Sequence, residues 1–428
     1  MTASLGVRPA QDSETPATPV FATPIRHPSA WTVADFRSPA DYSIDLDAAQ
    51  LRDIADAMRR IKAAGIGLDG LQREHFEVLS LRPVVKEILR QVEDGRGFVL
   101  LRGLPIEDYS KDDLRLIFWG IGAHLGRGLS QSVMGDRLGH VKDFSREDPG
   151  ARAYRNKQEL SPHTDSCDLV GLLCLRNAQA GGGVSRLTSA ISVHNTLLAE
   201  HLDVLAALYR GYVRHRRGEE QPGELPYTPY RIPVYSNVEG KVSARYVRSY
   251  IEAGEAAAGR MGAAERAIID TFEAVTKRPE LMLEFTLQPG EAYFINNYTI
   301  LHARTAFDDG DAPEDARRHL LRLWLDAPIR PVHPYIRSRG ILPVASRGHL
   351  STGAASLASV TEPAIAAHFP TPAGGQKSGV SEEMSAELLS RSPVAASWWF
   401  ARPAPSARRW STREFAALRN SVFHNLPL

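Results

Sequence analysis

The chain has 428 residues, 51 Lys and Arg against 50 Asp and Glu, and a formal net charge of +1. That length suits one large domain with extensions, and the charge balance leaves no global field to gather nucleic acid or an anionic membrane. Hydrophobic residues at 43% supply a sizeable core, yet no apolar run approaches the roughly 18 residues of a membrane span.

The N-terminus is rich in Pro, Thr, Ala and Ser and lacks the basic and apolar regions of a secretory signal, so residues 1–30 are expected to form a disordered leader. Order is expected from Trp31. Leu51, Ile54, Met58 and Ile61 recur at helical spacing within 47–64, and a second helix is expected over 83–92 with Pro83 in its first turn. GFVLLRG at 97–103 reads as a buried strand, and 111–125 as a helix with Asp112 and Asp113 where the dipole favours them. DLVGLLCLR at 168–176 is a strand. A turn at Gly181-Gly182-Gly183 leads to VSRLTSA and then to one helix through His194 and Leu208. A hairpin around Gly240 spans 232–247, and a helix runs from Met261 to Lys277. LMLEFTL, AYFINNYTILHAR and HLLRLWLD are three strand-like runs. Many strands with inserted helices predict a mainly β protein, an antiparallel double-sheet jelly roll with flanking helices. The domain is expected over 31–335. From about Val344 the composition shifts to Ala, Ser, Gly and Pro, and 336–428 reads as a partly ordered extension without assigned function. Its Trp398-Trp399-Phe400 and Phe415–Leu418 clusters suit a covering helix, or a lid or subunit contact. The two cysteines, Cys167 and Cys174, are too close in one apolar segment for a disulfide framework, which points to a reducing cytoplasm.

Residues 161–165 read Ser-Pro-His-Thr-Asp. Pro162 biases the preceding residue away from helix, and in extended chain residues i and i+2 share a side, so His163 and Asp165 can converge on one ion. His302 is the best third ligand. Two imidazoles and one carboxylate on one face of a metal leave open positions opposite, the arrangement of non-heme Fe(II) oxygenases. A second H-x-D, His201 and Asp203, lies in a helical pattern where i and i+2 diverge by about 200° and cannot chelate. His140 and Asp143 have the wrong spacing, and His140 reads as structural.

A strand over 317–326 puts Arg318, Leu320, Arg322 and Trp324 on one face and Leu321, Leu323 and Leu325 on the other. Two buried arginines there require anions: either two ligand groups or internal salt bridges, with Glu284 or Asp326 as candidates. Arg214, Arg216 and Arg217 either charge a lid loop or pair with Glu219 and Glu220 at the surface. Tyr227, Tyr230 and Tyr235 either line the mouth or fill a hairpin face.

From GFVLLRGLP to RLWLDAP the chain resembles the TauD/TfdA group of Fe(II)/2-oxoglutarate dioxygenases. The resemblance rests on H-T-D at 163–165, G-G-V-S at 182–185, N-x-x-x-x-H-x-R from Asn297 to Arg304 and R-R-x-x-x-R at 317–322. It implies a double-stranded β-helix with Fe(II) on His163, Asp165 and His302. It implies that Arg318 anchors the distal carboxylate of 2-oxoglutarate, with the Ser185 hydroxyl beside it and Thr188 as a fallback. Arg322 and Asn297 become substrate-binding candidates, Arg322 for an acidic group. The implied activity is hydroxylation of a C–H bond in a small molecule, anionic or neutral, with O2 consumed and succinate and CO2 released. Asp165 stands where related halogenases carry a small residue, which favours oxygenation. Nucleic acid and membrane are not expected partners, and a homo-oligomer is allowed. Two alternatives stay open: a zinc hydrolase on the same triad, and a non-catalytic ligand sensor on the same fold.

Overall fold

The computed structural model describes residues 19–131, 135–145, 155–217, 220, 223–327 and 329. The extension over 336–428, with its aromatic clusters, lies outside them, as do residues 1–18. In chain order the strands are β1 (Ser43–Asp45), β2 (Phe98–Arg102), β3 (Arg127–Gly128), β4 (Leu138–Val141), β5 (Leu160–His163), β6 (Leu169–Arg176), β7 (Ser185–Ser189), β8 (Tyr235–Val238), β9 (Lys241–Ala244), β10 (Met282–Phe285), β11 (Ala292–Asn296), β12 (Ile300–Arg304) and β13 (His319–Asp326). The helices are α1 (Ala48–Ala63), α2 (Arg82–Glu93), α3 (Lys111–Leu125), α4 (Ala190–Glu200), α5 (Leu202–Arg210), α6 (Arg248–Ala257) and α7 (Ala263–Thr276).

Two sheets make the body. The major sheet runs β1-β2-β11-β6-β13-β3 with β4 also on β13; the minor sheet runs β10-β7-β12-β5. All ladders are antiparallel except β1–β2. Strand alternation divides the apolar residues into layers. Phe98, Val170, Ile295 and Trp324 of the major sheet meet Leu187, Leu283 and Ile300 of the minor sheet in the interior. The other face of the major sheet, with Leu321, Leu323 and Leu325, packs on α1, α2 and α3. The minor sheet is backed by α4, α5 and α7 and the β8–β9 hairpin. This is the predicted jelly roll.

Local sequence explains the helix ends. Asp47 accepts the Gln50 N–H at 2.8 Å, and Gln50 Oε1 accepts the Asp47 N–H at 2.8 Å, a reciprocal cap that starts α1. Ser110 and Asp113 do the same for α3. Three expectations need correction. The leader does not extend to residue 30: Val20, Phe21 and Ile25 pack on the helical core, and Asn195 bonds both the N–H and the carbonyl of Ile25. The single helix through 194–208 breaks at His201, whose φ of −144° ends α4 and starts α5. The run AYFINNYTILHAR is two strands in different sheets, joined by a corner at Asn297-Tyr298-Thr299.

Candidate metal and cosubstrate site

That corner builds the site. The chain crosses between sheets twice at the same end of the sandwich, once from β5 to β6 over residues 164–168 and once from β11 to β12 over 297–299. Asn297 ties the crossings together. Its Oδ1 accepts the Asp165 N–H at 2.8 Å, and its Nδ2 donates to the carbonyls of Asp165 at 2.5 Å and Cys167 at 2.8 Å. Tyr298 adds a bond from its hydroxyl to Asp168 Oδ1 at 2.5 Å. Asn297, expected to contact substrate, has both ends of its amide bonded to the loop that carries Asp165.

Pairing of β5 with β12 sets His163 directly across from His302. Their rings lie 4.2 Å apart between centroids. Asp165 Oδ1 lies 3.8 Å from His163 Nε2, and Asp165 Oδ2 lies 3.6 Å from His302 Nε2. Among the described residues this is the one group of three such donors close enough to share an ion. His201 and Asp203 are not such a group, although the reason differs from the one expected, since His201 is a junction residue rather than a helical one.

The ligand states suit a cation. His163 Nδ1 is 2.9 Å from the Ser161 carbonyl, which assigns the proton to Nδ1 and leaves the Nε2 lone pair free. Burial, then repulsion from His302, pushes the His163 pKa down to about 3, so the ring is neutral near pH 7. Burial opposes ionisation of Asp165, but Arg322 and His302 overcome it and hold the carboxyl well below its usual range.

Arg322 is where the two-anion expectation changes. Its Nη1 is 3.5 Å from Asp165 Oδ2 and its Nε donates to Gln131 Oε1 at 2.8 Å. Trp324 Nε1 donates to the same Asp165 oxygen at 2.7 Å, and the Arg322 guanidinium lies over the Trp324 ring at 4.7 Å. One of the two anions is thus Asp165 itself. Glu284 and Asp326 pair instead with Arg186 and Arg127. Gln131 also donates to the Arg322 carbonyl at 2.7 Å. Gln131 and Trp324 carried no functional expectation, and a glutamine in a loop offers no pattern by which to find it.

Arg318 is different. It is 3% exposed, and its Nη1 has no partner among the described residues. Its guanidinium lies 4.8 Å over the Phe307 ring, which it shares with Arg304 at 4.7 Å. Burial, then Arg318, lowers the Arg304 pKa to about 9. The glycine turn makes room for this pair. A Cβ on Gly183, at φ +72°, would fall 2.6 Å from Arg318 Nε, and one on Gly182, at φ +81°, would fall 2.2 Å from the Ala306 carbonyl oxygen. Ser185 sits across from Arg304 in the β7–β12 ladder and shares the interior face with Leu187. Thr188 is three residues on and faces the opposite way. Its hydroxyl donates to the Thr276 carbonyl at 3.0 Å, so it is no fallback for Ser185.

The remaining candidates settle into the scaffold. Tyr235 is buried with its hydroxyl on the Ala190 carbonyl, and Cys167 is a buried core thiol. Arg216 pairs with Glu224, Arg217 bonds the Ser249 carbonyl, and Arg214 is buried rather than on a surface loop. No helix among the described residues is long and apolar enough to cross a membrane.

The family described as taurine catabolism dioxygenase TauD, TfdA family matches residues 59–324. FR-33289 synthase from Streptomyces rubellomurinus (strain ATCC 31215) is 31% identical over 313 residues, covering 72% of this chain and 91% of that protein. The taurine hydroxylase-like protein SAT17 from Stachybotrys chartarum (strain CBS 109288 / IBT 7711) is 27% identical over 309 residues, 69% of this chain and 77% of that one. The structure of asparagine oxygenase in complex with Fe(II), 2S,3S-3-hydroxyasparagine and succinate superposes with a TM-score of 0.52 at 16% identity, covering 66% of this chain and 93% of that one.

Proposed function

Because the chain belongs to the TauD/TfdA family of Fe(II)/2-oxoglutarate-dependent dioxygenases, we propose that His163, Asp165 and His302 hold its iron and that Arg318 receives the distal carboxylate of 2-oxoglutarate. The reaction is oxidation of a small molecule. When bound, Fe(II) and 2-oxoglutarate supply an oxidative decarboxylation that releases succinate and CO2 as O2 is consumed. The chain's own residues hold and orient. Asn297 fixes the Asp165 backbone, while Trp324 and Arg322 hold one carboxylate oxygen so that the donors converge. Ser161 fixes the tautomer of His163.

The observation that carries the cosubstrate assignment is the unpartnered, buried Nη1 of Arg318. A guanidinium keeps its charge and is costly to bury without an acceptor, and a carboxylate placed there would complete it. Ser185 is a second donor to that carboxylate in this reading, and Arg304 adds positive potential. A zinc hydrolase would leave Arg318 without purpose, and a ligand sensor would leave the convergent triad without one. The substrate space borders Arg322, whose first commitment is to Asp165. Both cysteines are buried free thiols, which supports a reducing, cytoplasmic setting. An oxygen electrode tests the reading: with Fe(II) and 2-oxoglutarate the protein consumes O2 and forms succinate. Zinc-loaded protein that hydrolyses esters or amides without taking up O2 would contradict it.

A further inference from the structure

The loop carrying Asp165 is backed by a second pair of arginines. Arg245, just after β9, donates from Nη1 to the Asp165 carbonyl. The backbone of Tyr246 brackets Thr164, its carbonyl accepting the Thr164 N–H at 2.8 Å and its N–H reaching Thr164 Oγ1 at 3.0 Å. Arg214 Nη2 in turn donates to the Arg245 carbonyl at 2.5 Å.

Arg214 is 1% exposed, and its buried Nε has no partner among the described residues. Burial first, and then Arg245, disfavours its charge, and no acidic side chain among the described residues offsets them. The guanidinium cannot shed its proton in a protein. The acids nearby are committed elsewhere: Glu255 accepts the Val213 N–H and faces Arg231 at 3.8 Å, and Glu224 pairs with Arg216. The hairpin adds neutral donors. By strand alternation Tyr235, Val242 and Ala244 share one face of the hairpin and Ser243 and Arg245 the other, with Ser236 directly across from Ser243. Both serine hydroxyls are buried without a partner among the described residues. The two arginines thus touch each other beside the triad's carboxylate loop, and the two serines lie on Arg245's face of the hairpin. Water could satisfy the hydroxyls but would leave the buried charge of Arg214 uncompensated.

We propose that Arg214, Arg245, Ser236 and Ser243 form an oxyanion site that holds a carboxylate, sulfonate, phosphonate or phosphate group of the substrate. That the anion belongs to the substrate rests on the iron assignment above; the anion site itself rests only on the hairpin and its arginines.

The test saturates the protein with Fe(II) and 2-oxoglutarate without oxygen, so that Arg318 is filled, and titrates inorganic phosphate by calorimetry and thermal unfolding. Phosphate is expected to bind and raise the unfolding temperature, and Arg214→Met and Ser243→Ala to weaken it about tenfold or more. Arg214→Met without phosphate should be no less stable than wild type, because an uncompensated buried cation has been removed. Arg322→Gln should keep the phosphate response. No phosphate response in wild type, or full phosphate affinity in Ser243→Ala, overturns the site even if Arg214→Met fails to fold. A second arm follows succinate release after O2 is admitted. Compounds carrying one of these anionic groups should stimulate it more than their methyl esters, and Arg214→Met should lose that preference. Phosphate binding without any such preference makes the site one for free anion and overturns its substrate role. Absence of succinate in every protein would instead indict the iron assignment, since the phosphate titration needs no turnover.

Discussion

Replacing Asn297 by alanine separates a loop clamp from a substrate contact. The native amide is fully buried and serves three backbone groups, the Asp165 N–H and the carbonyls of Asp165 and Cys167. After truncation the Asp165 carbonyl still has Arg245 as donor, but the Asp165 N–H and the Cys167 carbonyl lose their Asn297 bonds. Each buried group left without a partner costs about 1–3 kcal/mol, so Asn297→Ala should lose about 2–6 kcal/mol of stability. Loosening the loop that aims Asp165 should also weaken Fe(II) about 10- to 100-fold, the usual cost of removing a group that orients a metal ligand. Asn297→Asp should not rescue, because it keeps the acceptor for the Asp165 N–H but sets a carboxylate oxygen against two carbonyls. Denaturant unfolding and anaerobic Fe(II) titration read both effects. If Asn297→Ala kept wild-type stability and iron affinity and raised only the substrate KM, the clamp would be refuted and the original substrate reading restored.

Arg318→Gln removes the charge awaiting the cosubstrate. A lost buried charge pair costs about 2–5 kcal/mol, so 2-oxoglutarate should bind roughly 30- to several-thousand-fold more weakly, by titration, while Fe(II) affinity holds. Gly183→Ala strains a left-handed residue by about 1–2 kcal/mol and drives a methyl into Arg318 Nε, so the KM for 2-oxoglutarate should rise with little change in iron affinity. The His140–His319 pair, joined at 2.8 Å, sets an acid dependence. Burial, then His140, holds the His319 pKa at about 3, below the unfolded value of about 6.5. The unfolded chain therefore binds the extra proton, and stability falls as pH drops from about 6.5 toward 3, by at most about 1.4 kcal/mol per pH unit from this histidine. His319→Gln should flatten that slope relative to wild type in urea unfolding across the window.

The convergence of the three proposed ligands was legible because its signal is backbone geometry: His163 and Asp165 are i and i+2 in extended chain, and His302 lies in a strand that pairs back on β5. The burial of Arg318 was legible from its place on the inner face of an apolar strand, but its need for an anion left ligand and salt bridge equally open until the family resemblance singled out the cosubstrate. The corner at Asn297 was hidden, since Asn-Asn-Tyr-Thr lies between two apolar runs that read as one strand. Thr188 was excludable in advance, because three residues from Ser185 it must face the other way. Arg214 illustrates the limit of charge patterning. In Arg-His-Arg-Arg-Gly-Glu-Glu it looks like surface charge, and only the packing of Gly254 against the 213–215 backbone, where a Cβ would fall within 2.6–2.8 Å of Val213, Arg214 and His215, reveals a buried strand-like segment.

The most direct measurement is iron anomalous scattering from crystals grown anaerobically with Fe(II) and 2-oxoglutarate. The account predicts one iron peak bonded to His163 Nε2, His302 Nε2 and a carboxylate oxygen of Asp165, with the distal carboxylate of 2-oxoglutarate on Arg318. An iron peak elsewhere, such as between His140 and His319, or a 2-oxoglutarate whose distal carboxylate leaves Arg318 without a partner, would contradict it.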